Sequence, residues 1–129
     1  MNGLHLTADL SGCAPGQALM TDPDALRRLC VEDVARAGLG AVAELFHRFT
    51  PAPGEQQSGI TGVVLLAESH LAIHTWPELG AVTLDVYVCN LSENNAAKAE
   101  ALLASLCKAF APGRADVQRL TRGGLSPSR

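Results

Sequence analysis

Glu68, Ser69, His70 and His74 bring a carboxylate, a hydroxyl and two imidazoles into one short stretch, just ahead of Trp76-Pro77-Glu78. A serine near a histidine base is the starting material of nucleophilic catalysis. With Asp85 as the orienting acid, Ser69 and His74 would make a hydrolase triad. No G-x-S-x-G elbow surrounds Ser69, however, and no helix follows it. His70 and His74 stand four apart, a zinc-binding spacing on a helix. Trp76-Pro77 and the β-prone residues before it argue for a strand, on which both rings share a face and Cys89 would be the third member of a metal triad. No metal is assigned on this pattern. Taken singly, Ser69 is an ordinary polar turn residue, Cys89 an ordinary buried thiol, and Phe49 as much core as pocket wall. His5 and His47 carry no separate signal.

These side chains need a scaffold, and the apolar periodicity supplies one. Leu4, Leu6 and Ala8 alternate with His5, Thr7 and Asp9 as in a half-buried strand closed by Ser11-Gly12. Asp22-Pro23 starts a helix whose apolar positions are Leu26, Leu29, Cys30, Val34 and Ala37, stopped by Gly38 and Gly40. Residues 41–50 read as a second strand, residues 51–59 as a loop, residues 60–67 as a central strand, and residues 70–75 as a short strand after a bend at Glu68-Ser69. Val82, Leu84, Val86 and Val88 form one face of the next strand, with Thr83, Asp85, Tyr87 and Cys89 on the other. Ala99, Leu102, Leu103, Leu106 and Phe110 mark a second helix, ended by Pro112-Gly113, and residues 115–120 a last strand. The expected fold is α+β, a two-layer sandwich with both helices on one face of a mostly antiparallel sheet. Residues 1–121 form a single domain and residues 122–129 a flexible tail.

Composition narrows the function. Hydrophobic residues make up 47% of the 129-residue chain and charged residues 18%, a globular balance. The net charge of −3 comes without a block of Lys or Arg, which disfavours nucleic acid and anionic membrane as partners. No apolar stretch reaches the length of a membrane span and no leader pattern opens the chain, so a cytoplasmic location is expected. Cys13, Cys30, Cys89 and Cys107 include no C-x-x-C pair and read as free thiols.

Gly59-x-x-Gly62-Val63-Val64, Glu68-Ser69-His70, Ile73-His74-Thr75-Trp76-Pro77-Glu78, Asp85 and Cys89 occur in that order. Together they resemble the bacterial S-adenosylmethionine decarboxylase proenzymes. Gly3-Leu4-His5-Leu6, Asp9-Leu10-x-Gly12-Cys13 and His47-x-Phe49-x-Pro51 extend the likeness over nearly the whole chain.

The resemblance implies a proenzyme that cleaves itself between Glu68 and Ser69. The products would be a β chain, residues 1–68, and an α chain, residues 69–129, with Ser69 converted to a pyruvoyl group. It implies His74 and Thr61 in processing, Ser69, His74 and Cys89 in catalysis with Cys89 as proton donor, and Glu78 and Phe49 in substrate binding. The ketone would form a Schiff base with the substrate amine, and a homodimer of processed protomers would be the working unit. The implied substrate is S-adenosylmethionine, supplying the aminopropyl donor for spermidine. The alternatives are L-ornithine or L-arginine on the same fold and cofactor, and an unprocessed, non-enzymatic paralogue acting as partner or regulator. Three departures from the family pattern are visible: residues inserted around Gly54 to Ser58, Leu79 and Ala81 where aromatics are usual, and Asn90 where glycine is usual.

Overall fold

Leu4, Leu6, Ala8 and Leu10 all turn to one side of strand β1 (Asn2–Ser11) and are buried. The computed structural model describes residues 2–90 and 94–124. Asp22 caps helix α2 (Pro23–Arg36): its side chain accepts the Asp24 N–H at 3.0 Å, and Pro23 occupies the first helical position. Before it, a single turn α1 (Ala18–Thr21), not foreseen from the periodicity, buries Met20. The Met20 carbonyl accepts a hydrogen bond from Thr75 Oγ1 at 2.7 Å, and that oxygen accepts the Ile60 N–H at 2.9 Å. One buried hydroxyl thus ties a helical turn to two strands. Helix α3 (Ala96–Ala109) buries Ala99, Leu102, Leu103 and Leu106. Buried Asp33 accepts from Ser105 Oγ at 2.7 Å and from Arg36 Nη1 at 2.6 Å, linking α2 to α3.

The remaining strands are β2 (Ala41–Arg48), β3 (Ile60–Leu66), β4 (Ser69–Trp76), β5 (Ala81–Cys89) and β6 (Arg114–Gly123). They form one sheet in the order β2-β3-β4-β5-β1-β6, with every neighbouring pair antiparallel. The two-layer α+β sandwich expected from the sequence is the fold observed. Helix α2 lies over β2 and β3, and α3 over β1 and β5, so the core fills one side of the sheet. The expected flexible tail begins too early. Arg122 and Gly123 belong to β6, where they pair with Gly3 and Asn2. The rest of that tail from residue 125 lies outside the described residues.

No element among the described residues covers the opposite face of the sheet. Leu45, Leu65 and Leu120 are 69%, 46% and 57% exposed there. Directly paired residues on neighbouring strands share a face, so the register orders this surface into rows. His47, Thr61, His74 and Thr83 form one row. Leu45, Val63, Ala72 and Asp85 form the next, and Leu65, His70, Tyr87 and His5 a third. Cys89, paired with Gly3, opens a fourth at the far end.

Candidate active site

Ser69 begins β4 immediately after the two-residue turn Ala67-Glu68. Glu68 has φ of 58°, the left-handed region, without being glycine. Its Cβ is crowded there at a cost of about 1 kcal/mol, held against the peptide that joins it to Ser69. Ser69 Oγ accepts the backbone N–H of Cys89 at 3.0 Å, which fixes the hydroxyl at the end of the neighbouring strand. The Cys89 side chain is buried. Ser69 and Cys89, distant in sequence, are therefore brought together at one end of the sheet.

A second group forms at the other end of β4. Thr61 and His74 are cross-strand partners, and Thr61 Oγ1 lies 3.1 Å from His74 Nδ1. Both line a cavity of about 230 Å³ with Phe49, Trp76 and Glu78. Phe49 is 50% exposed and packs edge-on against His47, with ring centroids 4.8 Å apart, so it is a wall of this cavity and not core. The loop over the cavity is pinned at its base, where the Phe49 N–H donates to the Gly59 carbonyl at 3.1 Å and Ser58 Oγ donates to the Phe49 carbonyl. Only glycine fits at position 59, since a Cβ there would stand 1.9 Å from the Thr75 carbonyl oxygen.

The two groups do not meet within one protomer. Ser69 and His74 are five residues apart along a strand, about 17 Å at the rise of an extended chain. Along β5, Cys89 lies six residues beyond Thr83, the partner of His74, or about 20 Å. The motif is continuous in sequence, but an extended strand spreads Ser69 and His74 from one end of the sheet to the other.

Residues 4–123 match the family described as S-adenosylmethionine decarboxylase. The S-adenosylmethionine decarboxylase proenzyme of Acetivibrio thermocellus is 38% identical over 92 residues, covering 71% of this chain and 68% of that protein. The proenzyme of Pyrococcus furiosus is 33% identical over 121 residues, 94% of this chain and 78% of that protein. Several other relatives of the same name are matched over slightly less than two thirds of their length. The crystal structure of the adenosylmethionine decarboxylase from Aquifex aeolicus superposes with a TM-score of 0.82 at 34% identity, covering 98% of this chain and 95% of that one. The chain belongs to the S-adenosylmethionine decarboxylase family.

Between the two ends of this decarboxylase-family sheet lies a polar network that the sequence did not announce. His5 Nε2 and His70 Nε2 each lie 2.8 Å from the same oxygen of Asp85, and Arg122 Nη1 donates to His5 Nδ1 at 3.3 Å. Tyr87 sits among them, its ring 5.7 Å and 5.8 Å from the two imidazoles and 5.2 Å from the Arg122 guanidinium carbon. Asp85 is therefore engaged by His5 and His70, and the Ser69-His74-Asp85 hydrolase triad does not form. Nor does the conceivable metal triad of His70, His74 and Cys89, because those residues fall on different rows. The signal for His5 was its alternation with Leu4 and Leu6, which directs it to the uncovered face. Arg122 gave none, since its role depends on β6 returning beside β1.

Burial raises the thiols of Cys13, Cys30 and Cys107 above the ordinary range. All four cysteines are unpaired, and Cys30 is fully buried; that burial, with the nearby Asp33 carboxylate, pushes its thiol up to about 12. The strained turn is directly testable in an uncleavable background. In a Ser69→Ala chain, adding Glu68→Gly is expected to raise stability in urea by up to about 1 kcal/mol, because glycine enters the left-handed region without the Cβ clash. A lowered midpoint would show that the turn holds no such strain.

Proposed function

We propose that this chain is a self-processing, pyruvoyl-dependent decarboxylase of S-adenosylmethionine, working as a homodimer whose sites each draw on both protomers. The observation that carries this reading is the separation of Ser69 and Cys89 at one end of the sheet from Thr61 and His74 at the other, in a sheet whose face bearing Cys89, Thr61 and His74 is uncovered among the described residues. If two such faces stack about a two-fold axis, the Ser69 end of one protomer lies over the His74 end of its partner, twice. Sheets stacked face to face stand about 10 Å apart, within reach of side chains from both. The exposed Leu45, Leu65 and Leu120 would be buried by that arrangement. The chain is a carboxy-lyase on this reading.

Processing uses the chain's own groups. Ser69 Oγ attacks the Glu68 carbonyl, replacing the peptide bond with an ester. Release of strain at Glu68 favours that step. A base removes the Ser69 α-proton and the ester is eliminated, leaving Glu68 as a free carboxylate and residue 69 as dehydroalanine. Addition of water and loss of ammonia then give the pyruvoyl group. The partner's His74, with Thr61 fixed on its Nδ1, is our assignment for the base. The fixed Ser69 hydroxyl and the strained peptide before it fit such a group at residue 69.

When formed, the pyruvoyl group supplies a ketone that condenses with the substrate amine and accepts electrons as carboxylate leaves. Cys89, buried next to residue 69, would return a proton to the carbon that lost CO2. Phe49 would stack on the adenine ring and Glu78 would accept hydrogen bonds from the nucleoside. Relatives named for S-adenosylmethionine support that substrate over L-ornithine or L-arginine, and an aromatic-walled cavity suits a purine better than a linear amine. The intact Ser69 turn disfavours a non-enzymatic regulator. Among the described residues no helix is long and apolar enough to cross a membrane, and four unpaired cysteines suit the reducing cytoplasm.

Intact mass after incubation with S-adenosylmethionine and a mild imine-reducing agent tests the whole reading. Two fragments are expected, the larger-numbered one lighter by ammonia than a serine-started chain and carrying a trapped adduct. A single unmodified chain would overturn it. Cys89→Ala should still self-cleave, because Ser69 takes its hydrogen bond from the Cys89 backbone, which alanine retains. Its turnover should fall by about 10²- to 10⁴-fold, the usual contribution of a positioned proton donor. Fragment yield on a gel and CO2 release separate the two effects, and full turnover would remove Cys89 from the mechanism.

A further inference from the structure

We infer that Glu55 is a second carboxylate of the substrate cavity, selecting for the positive charge of the sulfonium. This inference rests on the proposed function and extends it to a residue that neither the motif nor the sequence reading singled out. Glu55 is delivered by a tight turn. Its N–H donates to the Ala52 carbonyl at 2.9 Å, Pro53 follows Ala52, and Gly54 has φ of 88°, the arrangement of a type II turn with Pro and Gly at its two central positions. The base of the same loop is held by the Phe49–Gly59 and Ser58–Phe49 hydrogen bonds. Constrained at both points, the loop sets Glu55 on the wall of the cavity that holds Phe49, Trp76, His74 and Glu78.

Glu55 and Glu78 also line an adjoining hollow of about 340 Å³ together with Gln56 and Gln57. No Lys or Arg lines either space. Among the described residues, neither Glu55 nor Glu78 enters an ion pair. Two uncompensated carboxylates lining one cavity with two partly exposed aromatic side chains make a local environment that favours a cation, since aromatic faces attract positive charge as carboxylates do. The S-adenosylmethionine sulfonium is a permanent charge that survives condensation of the amine. S-Adenosylhomocysteine offers the same nucleoside and amino acid with a neutral thioether. Glu55 is exposed, so its effect is that of a screened charge, a few-fold and salt-dependent.

The test compares processed wild type with Glu55→Gln, measuring KM and kcat for S-adenosylmethionine and Ki for S-adenosylhomocysteine at low and high salt. The variant should cleave itself normally and keep its kcat. Its KM should rise about three- to fivefold at low salt, less at high salt, while Ki for the thioether stays constant. An unchanged KM, or KM and Ki rising together, would overturn the inference and leave the decarboxylase reading standing. Absence of wild-type turnover on S-adenosylmethionine would overturn both.

Discussion

Ser69→Ala should run as one uncleaved chain and show no decarboxylation. In the proposed mechanism the serine is needed twice: its oxygen attacks the Glu68 carbonyl, and its carbon skeleton becomes the ketone. Alanine offers neither, while the fold is expected to survive, because among the described residues the hydroxyl makes a single hydrogen bond, the one it accepts from the Cys89 N–H at the end of β5. Losing one such bond costs about 1 kcal/mol, too little to unfold a domain with this core. Ordinary cleavage at Glu68 in this variant, detected by intact mass, would remove the pyruvoyl mechanism altogether.

The second large effect distinguishes a composite site from one built within a single chain. His74→Ala alone should be blocked in processing, as Ser69→Ala is. Co-expressed, the two should complement. In a mixed dimer, one site combines the intact Ser69 of the His74→Ala chain with the intact His74 of the Ser69→Ala chain. Cleavage should then return, and only the His74→Ala chain should be cut. With random assortment about half the molecules are mixed dimers and each carries one good site, so about a quarter of wild-type activity is expected. Different affinity tags on the two chains identify which one yields fragments. If neither chain is cut, each site belongs to a single protomer, and the roughly 17 Å between Ser69 and His74 would have to close by rearrangement.

Much of the scaffold was legible because it rests on local periodicity. The alternation of Leu4, Leu6 and Ala8 and the helical spacing of Leu102, Leu103 and Leu106 each name an element and its buried face. The one-turn α1 was missed because a single turn carries too few residues to show a period; Met20 is buried by what surrounds it. The end of β6 was set too early for a similar reason. Its residues are exposed along its length, so no alternation of burial marks the strand, and its extent follows from pairing with β1.

For the site, the sequence by itself determined which side chains are proposed to carry the chemistry, since Glu68-Ser69-His70, His74, Trp76-Pro77-Glu78 and Cys89 stand in a specific order. Only the tertiary structure decided which of them meet. Extended backbone advances about 3.3 Å per residue, so Ser69 and His74, close in the motif, end at opposite ends of β4. Antiparallel pairing does the reverse, joining Thr61 to His74 across 13 residues and Ser69 to Cys89 across 20. It also gathers His5, His70, Asp85, Tyr87 and Arg122 from four strands into one network. Sequence order records the inventory of reactive groups, and strand register, a property of the whole sheet, sets their distances.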